Sequence, residues 1–133
     1  MFRVNKDASI DIIQGDTGVL YINGIVASQN TNVDTLEMYM SIYNSNNVIQ
    51  SEEISCKALF NNETFNYDFR LFIPSEFTDD IKVNADSDEE YFYSLKLCYE
   101  DIDGNHHEET LTVDGNPDTQ TAITIYPKRT EGV

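Results

Sequence analysis

The clearest feature of the chain is a two-residue alternation of apolar and polar side chains. Segments 35–44, 64–73 and 91–99 show it, and a short closing run carries Ile123 and Ile125. Neighbouring residues of a strand point to opposite faces, so this period is typical of half-buried strands. No long segment has the spacing of an amphipathic helix. The pattern predicts an all-β domain with these inner positions: Leu36, Met38, Met40, Phe65, Phe69, Leu71, Tyr93, Leu95, Leu97, Ile123 and Ile125.

Turn-forming residues separate the alternating runs. They are rich in Gly, Asn and Asp, and they occupy positions 14–18, 44–47, 61–62, 101–105 and 114–118. The last two clusters bound a short predicted strand that carries Leu111 and Val113. Short strands separated by turns every eight to twelve residues indicate a sandwich or barrel.

One segment, 74–81, differs from the alternating runs. We expect Ser75 to cap a single helical turn there, with Phe77 and Ile81 packed under the sheet edge. The length of 133 residues suits one domain. The sequence therefore predicts a single antiparallel β-sandwich over residues 1–133, with about seven or eight strands and at most one short helix.

The charge of the chain excludes two kinds of partner. There are 24 acidic and 8 basic residues, and the net charge is -16. Nucleic acids and anionic membranes are bound largely through Lys and Arg, so we expect neither as a partner. The acids are concentrated in 79–90 and 101–109. If both segments lie at one end of the sandwich, that end is strongly negative; otherwise they form an ordinary solvated surface.

The first residues and the cysteines bear on the compartment. Residues 1–7 are not followed by an apolar signal-peptide core, so we expect synthesis in the cytoplasm without a secretory signal. We interpret Cys56 and Cys98 as reduced thiols, since Cys98 alternates with polar residues. A buried disulfide between the two sheets is the alternative.

Two groups of polar residues raise the question of a metal site. Asp101, Asp103 and Asn105 have alternating ligand spacing but lack the Gly and Glu of a calcium-binding EF-hand loop, which favours a hairpin turn. His106 and His107 are neighbours on a predicted strand, so they point to opposite faces and cannot hold one ion together. We interpret them as surface histidines.

No motif of a catalytic centre is present in the sequence. There is no nucleophile elbow, and selecting two of the many carboxylates as an acid–base pair would be arbitrary. We therefore predict a protein that is not an enzyme, with no catalytic, cofactor-binding or metal-binding residues and no cofactor. We also expect its fold to need neither a metal nor a disulfide.

Two surface features have alternative interpretations. The sequence Asn62-Glu63-Thr64 matches a glycosylation site, but without a secretory signal we interpret it as a turn. Tyr39, Tyr43 and Phe72 fall on the polar sides of their strands. They are candidates for an exposed platform that holds a sugar or a protein.

The order of several segments along the chain carries a family resemblance. The opening strand 10–13 precedes the turn 15–17; the link 73–78, the strand 91–95 and the closing strand 123–125 follow. This order resembles the immunoglobulin-like domain at the N-terminus of siphophage baseplate upper proteins and related phage tail components. The resemblance implies an immunoglobulin-like antiparallel β-sandwich, a location in the virion and no active site.

On this basis we expect a phage virion structural or assembly protein, such as a tail, baseplate or neck/fibre component. Its expected partners are other virion proteins and copies of itself, with the basic residues Lys128 and Arg129 meeting the acidic end of a neighbouring copy. A carbohydrate-binding module that recognises a host-surface glycan is one alternative. An acidic inhibitor or DNA mimic that occupies a basic groove is the other.

Overall fold

The chain folds into ten strands and one short helix within the residues that can be described. The computed structural model describes residues 1–84, 89–111 and 120–128. Helix α1 is Glu76–Asp79. The strands are β1 Phe2–Val4, β2 Ile10–Ile13, β3 Gly18–Ile25, β4 Thr31–Asn44, β5 Ile54–Lys57, β6 Leu59–Asn61, β7 Asn66–Ile73, β8 Tyr91–Asp101, β9 His106–Leu111 and β10 Thr121–Tyr126.

The strands form two sheets. The larger, sheet A, has the order β1-β2-β10-β8-β4-β5, and β9 pairs with the second half of β8. The smaller, sheet B, has the order β3-β7-β6. The predicted all-β sandwich is confirmed. The strands outnumber the predicted seven or eight because β1 and β6, at three residues each, are too short to show an alternation.

The sequence predicts antiparallel strands throughout, but one neighbouring pair is parallel. Strand β10 runs parallel to β2, with Ile123 opposite Ile10 and Tyr126 opposite Ile13. The first and last parts of the chain are thus hydrogen-bonded side by side. Both strands contribute fully buried isoleucines to the core.

A single extended segment connects the two sheets along one side. Strand β5 pairs with β4 in sheet A, and β6 pairs with β7 in sheet B. Ala58 lies between β5 and β6, and its N–H donates to the carbonyl of Leu36 at 3.1 Å. At this crossing, one of several between the sheets, the chain passes from sheet A to sheet B within a single residue.

The alternation identified most of the core correctly. Nine of the predicted inner positions are buried: Leu36, Met38, Met40, Phe69, Leu71, Tyr93, Leu97, Ile123 and Ile125. Leu95 is half-buried and packs against the same core.

Phe65 is the one predicted core residue that is wrong. It is 75% exposed and has a φ of +58°, because it completes the turn between β6 and β7. Its N–H donates to the carbonyl of Asn61, whose side-chain oxygen accepts from the N–H of Glu63. The left-handed backbone breaks the alternation, and the inner row of β7 starts only at Tyr67. Asn62 lies in this turn, as predicted.

Helix α1 is present where the sequence predicted it, with Phe77 and Ile81 buried. Ser75, however, does not cap it. Ser75 itself has a helical backbone, and its hydroxyl donates to the carboxylate of Glu76 at 3.1 Å.

Contacts from the turn between β2 and β3, and from Lys128 after β10, hold α1 in place instead. The hydroxyl oxygen of Thr78, which is fully buried, accepts from the N–H of Gly15 at 2.8 Å. Gln14 Nε2 donates to the carbonyl of Ile81 at 2.7 Å, and Lys128 Nζ pairs with the Asp79 carboxylate at 2.8 Å. Gly15 has a φ of +81°, and a Cβ there would collide with this ion pair.

The direction of β8 separates the two acidic segments. One segment precedes Tyr91 and the other follows Asp101, so they lie at opposite ends of an eleven-residue strand. A strand of this length spans roughly 30–35 Å. The alternative of a single negative end is therefore wrong. Both ends of the sandwich, here called the α1 end and the hairpin end, carry acids. Residues 85–88 of the first segment lie outside the described ranges.

Some sequence predictions fall on residues that the structure does not describe: Val113, the turn at 114–118 and Arg129. In the described ranges, no helix has the length and apolar character to cross a membrane.

Candidate docking groove

A groove of about 570 Å³ lies at the α1 end of the described structure. It lies between the connection from β4 to β5 and the segment that contains α1. Its apolar lining includes Ile49, Ile54, Phe77 and Ile81, and its acidic lining consists of Glu52, Glu53, Glu76 and Asp80. The four acidic residues are exposed, so their carboxylates stay in contact with water.

The connection from β4 to β5 has a defined shape because its polar groups are bonded internally. Asn44 is buried, and its side-chain oxygen accepts from the N–H of Asn46 and of Val48, both at 3.0 Å. The hydroxyl oxygen of Ser51 accepts from the N–H of Ile42 at 2.9 Å. Ile49 is left 61% exposed in the lining of the groove.

The opposite wall of the groove is equally fixed. It is built from α1, which Gly15, Gln14 and Lys128 contact as described above. Asp79 is paired with Lys128, whereas Glu76 and Asp80 line the groove. Both walls therefore have a defined backbone conformation before any partner arrives.

The groove combines apolar surface with uncompensated negative charge. None of the described residues that line it is basic. Lys128, which lies close to α1, is paired with Asp79 and is not part of this lining. Such a surface suits an apolar side chain flanked by Lys or Arg, because the apolar part fills the groove and the cations neutralise the carboxylates.

The residues considered for calcium form a hairpin turn, as predicted. The Asp101 carboxylate accepts from the N–H of Asp103 and of Asn105, both at 2.9 Å, and lies 2.9 Å from His107 Nε2. The hydrogen bonds from His107 and from Asn105 lower the pKa of Asp101 to about 2. Both carboxylate oxygens of Asp101 therefore have hydrogen-bond partners within the hairpin.

The two histidines are separated, as the alternation predicts. His107 stacks on Tyr99, with ring centroids 5.1 Å apart and planes within 10°. His106 is on the other face of β9, where its Nε2 lies 3.3 Å from a carboxylate oxygen of Glu108.

Both cysteines are free thiols. They lie in the same sheet, on β5 and β8 with β4 between them, so the alternative of a disulfide between the two sheets is wrong. Cys98 does lie on the polar face, yet it is only 8% exposed. Burial raises the pKa of both thiols, and the nearby carboxylate of Glu108 raises that of Cys98 further.

The predicted aromatic platform does not exist as one surface. Tyr39 and Tyr43 lie on the outer face of sheet A, whereas Phe72 lies on the outer face of sheet B. The Tyr39 hydroxyl donates to Glu37 at 2.8 Å, which raises the pKa of Tyr39 to about 12. Tyr43 packs on Phe92 at a centroid distance of 5.9 Å.

A different aromatic cluster was missed by the sequence reasoning. Phe60 lies 6.4 Å from Phe65 and 5.4 Å from Tyr67, measured between ring centroids. Phe60 and Phe65 are 55% and 75% exposed. Phe65 is the last residue of its turn, and this position usually favours Gly or Asn. A Phe at such a position is the sequence signal for this cluster.

Comparison with known proteins adds no relative. No protein-family model matches the chain, and no curated protein matches its sequence.

Proposed function

We propose that this domain is a non-enzymatic phage structural or assembly protein, a tail, baseplate or neck/fibre component, that binds another virion protein through the groove at the α1 end. The observation that supports this most directly is the combination, in one preformed groove, of apolar lining and four carboxylates, with no basic residue among the described residues of the lining. The order of segments along the sequence, which resembles that of phage tail domains, supports the phage context.

The proposed partner presents a basic segment with an apolar side chain. Long-range attraction between this segment and the groove speeds their encounter, while the apolar contact sets how long they stay together. Lys128 contacts Asp79 within the same chain, which competes with its predicted contact to a neighbouring copy. We therefore favour another virion protein as the partner over a second copy of this chain.

A designed peptide tests the groove. The probe is a short peptide with Lys on both sides of a single Leu, and the control peptide has Glu in place of Lys. The double variant Glu52→Lys/Glu76→Lys should lose binding of the Lys peptide by more than about tenfold, which is about 1.4 kcal/mol. Its matched control, Glu63→Lys/Asp103→Lys, changes the net charge equally but lies away from the groove. Association should slow as salt rises, while dissociation changes less.

Two results would contradict the proposal. Equal loss in both double variants would mean that the peptide responds to net charge alone and not to the groove. The phage context has its own test, which is the position of the gene. Neighbouring capsid, portal or tail genes would support it, and a metabolic operon would contradict it.

A carbohydrate-binding function is the second candidate, and the exposed pair Phe60 and Phe65 favours it. Aromatic faces stack on sugar rings, and these two rings are 55% and 75% exposed. Binding on a glycan array that is lost in Phe65→Ala and does not change with salt would support this candidate instead.

A further inference from the structure

We propose that the outer face of the β8–β9 hairpin is a binding site for a zinc-like divalent metal ion, with Cys98, His106 and Glu108 as the protein ligands. The three ligand atoms lie within 4.8 Å of one another. This site is independent of the groove, which is at the opposite end of β8.

The register of the hairpin brings the three residues together. Cys98 is directly opposite Glu108, and Glu100 is directly opposite His106. Directly opposed residues share a face, and so do residues two apart on one strand. The side chains of Cys98, His106 and Glu108 therefore all lie on the outer face of sheet A.

The distances are close to those of an occupied site. His106 Nε2 lies 3.3 Å from Glu108 Oε1, and Cys98 Sγ lies 4.0 Å from the same oxygen. In a tetrahedral zinc site with bonds of about 2.0–2.3 Å, ligand atoms are separated by roughly 3.3–3.7 Å. The side chains of His106 and Glu108 are 61% and 51% exposed, so they can rotate to close the remaining difference.

The donor set decides which metal fits. A sulfur, an imidazole nitrogen and a carboxylate oxygen suit Zn²⁺ or Co²⁺, whereas Ca²⁺ and Mg²⁺ prefer oxygen alone. Lys96 Nζ lies 3.7 Å from Glu108 Oε2, so it contacts the oxygen that is not shared with Cys98 and His106. Three protein ligands leave one position of a tetrahedral ion for water or for a further ligand.

The chain supplies a matched control for each ligand. Cys56 is the second cysteine and lies on the inner side of sheet A, where it packs against the core. His107 lies next to His106 but contacts Asp101 on the opposite face. Glu109 lies next to Glu108 but accepts a hydrogen bond from the hydroxyl of Tyr99 at 3.0 Å.

The test is titration of the metal-free, reduced full chain with Co²⁺, followed by displacement with Zn²⁺. We expect a thiolate-to-cobalt absorption band that Zn²⁺ abolishes. Cys98→Ser should remove the band, and His106→Gln and Glu108→Gln should each weaken binding by at least about tenfold. Cys56→Ser, His107→Gln and Glu109→Gln should bind as the unchanged protein does.

The proposal fails if the unchanged protein shows no thiolate band, or if a control variant loses binding as much as its partner. Circular dichroism of each variant checks that it is folded. His106 and Glu108 are exposed, so their variants still decide the result if Cys98→Ser does not fold.

Discussion

The hydroxyl of Tyr91 donates a hydrogen bond of 2.8 Å to the carbonyl oxygen of Lys82. Tyr91 begins β8, and Lys82 lies in the connection that leads from α1 towards that strand. The start of β8 and the connection before it form a corner of the sandwich. A tyrosine whose hydroxyl donates to the backbone upstream of such a corner is also a feature of immunoglobulin domains. Here it ties the wall of the groove to sheet A.

Removing this hydroxyl tests the corner. Tyr91→Phe should lower the free energy of unfolding by about 1 kcal/mol, because the buried ring stays and only the hydrogen bond is lost. Urea denaturation measures the change. Tyr21→Phe is the control, since Tyr21 is 61% exposed and its variant should be neutral. Equal effects of the two variants would contradict the role of the corner.

Phe65 and Phe69, which the alternation of segment 64–73 placed together in the core, should respond in opposite ways to substitution. Phe69 is fully buried, so Phe69→Ala should cost about 4 kcal/mol of unfolding free energy. Phe65→Gly should be neutral or should stabilise the domain by up to about 1 kcal/mol, because glycine adopts a φ of +58° without strain. Denaturation curves of both variants check this, and a large loss for Phe65→Gly would show that its ring supports the core.

The contact between Thr78 and Gly15 should matter for the position of α1. Thr78→Val keeps the shape of the side chain but removes the acceptor of the Gly15 N–H. We expect a loss of about 1–2 kcal/mol of unfolding free energy and faster amide exchange at Gly15. Thr17→Val, in the same turn but exposed, should change neither.

The pH dependence of stability should include a contribution from Asp101. Its pKa is lowered to about 2 in the folded protein from an ordinary value of 3.8. A lowered folded-state pKa stabilises the fold above the unfolded value, and this stabilisation is lost as the pH falls from about 4 to about 2. Thermal unfolding across that range should depend less steeply on pH in Asp101→Asn than in the control Asp103→Asn. Equal slopes would contradict the assignment.

The fold should form without a metal ion or a disulfide. We expect the unfolding midpoint to change little when a chelator or a reductant is added, because the core is apolar and both cysteines are free. A fall of about ten degrees, which exceeds 1 kcal/mol for a domain of this size, would contradict this. Added Zn²⁺ should raise the midpoint, since an ion that binds the folded state stabilises it.

The sequence predicted the core well because alternation directly reports which face is buried. Leu36, Met38 and Met40 follow this rule, and Phe65 departs from it because the backbone there is left-handed. Cys98 departs from it in another way. It lies on the polar face as predicted, between Glu37 of β4 and Glu108 of β9, yet it is only 8% exposed.

The candidate sites were harder to predict because they depend on which strands are neighbours. The groove joins residues near Ile49 to residues near Phe77, and no local pattern connects the two. The Cys98 cluster did leave a signal, since the turn at 101–105 sets Cys98 opposite Glu108. Strand direction, which periodicity does not report, placed the acidic segments at opposite ends.

The parallel pairing of β2 and β10 determines how the domain carries mechanical tension. A pull on the chain before Ile10 and after Tyr126 draws the two strands in opposite directions along their length. The hydrogen bonds between them are then loaded together rather than broken one after another. Strand β1, antiparallel to β2 at the sheet edge, would peel away first. The parallel pair of β2 and β10 therefore acts as a mechanical clamp that resists stretching.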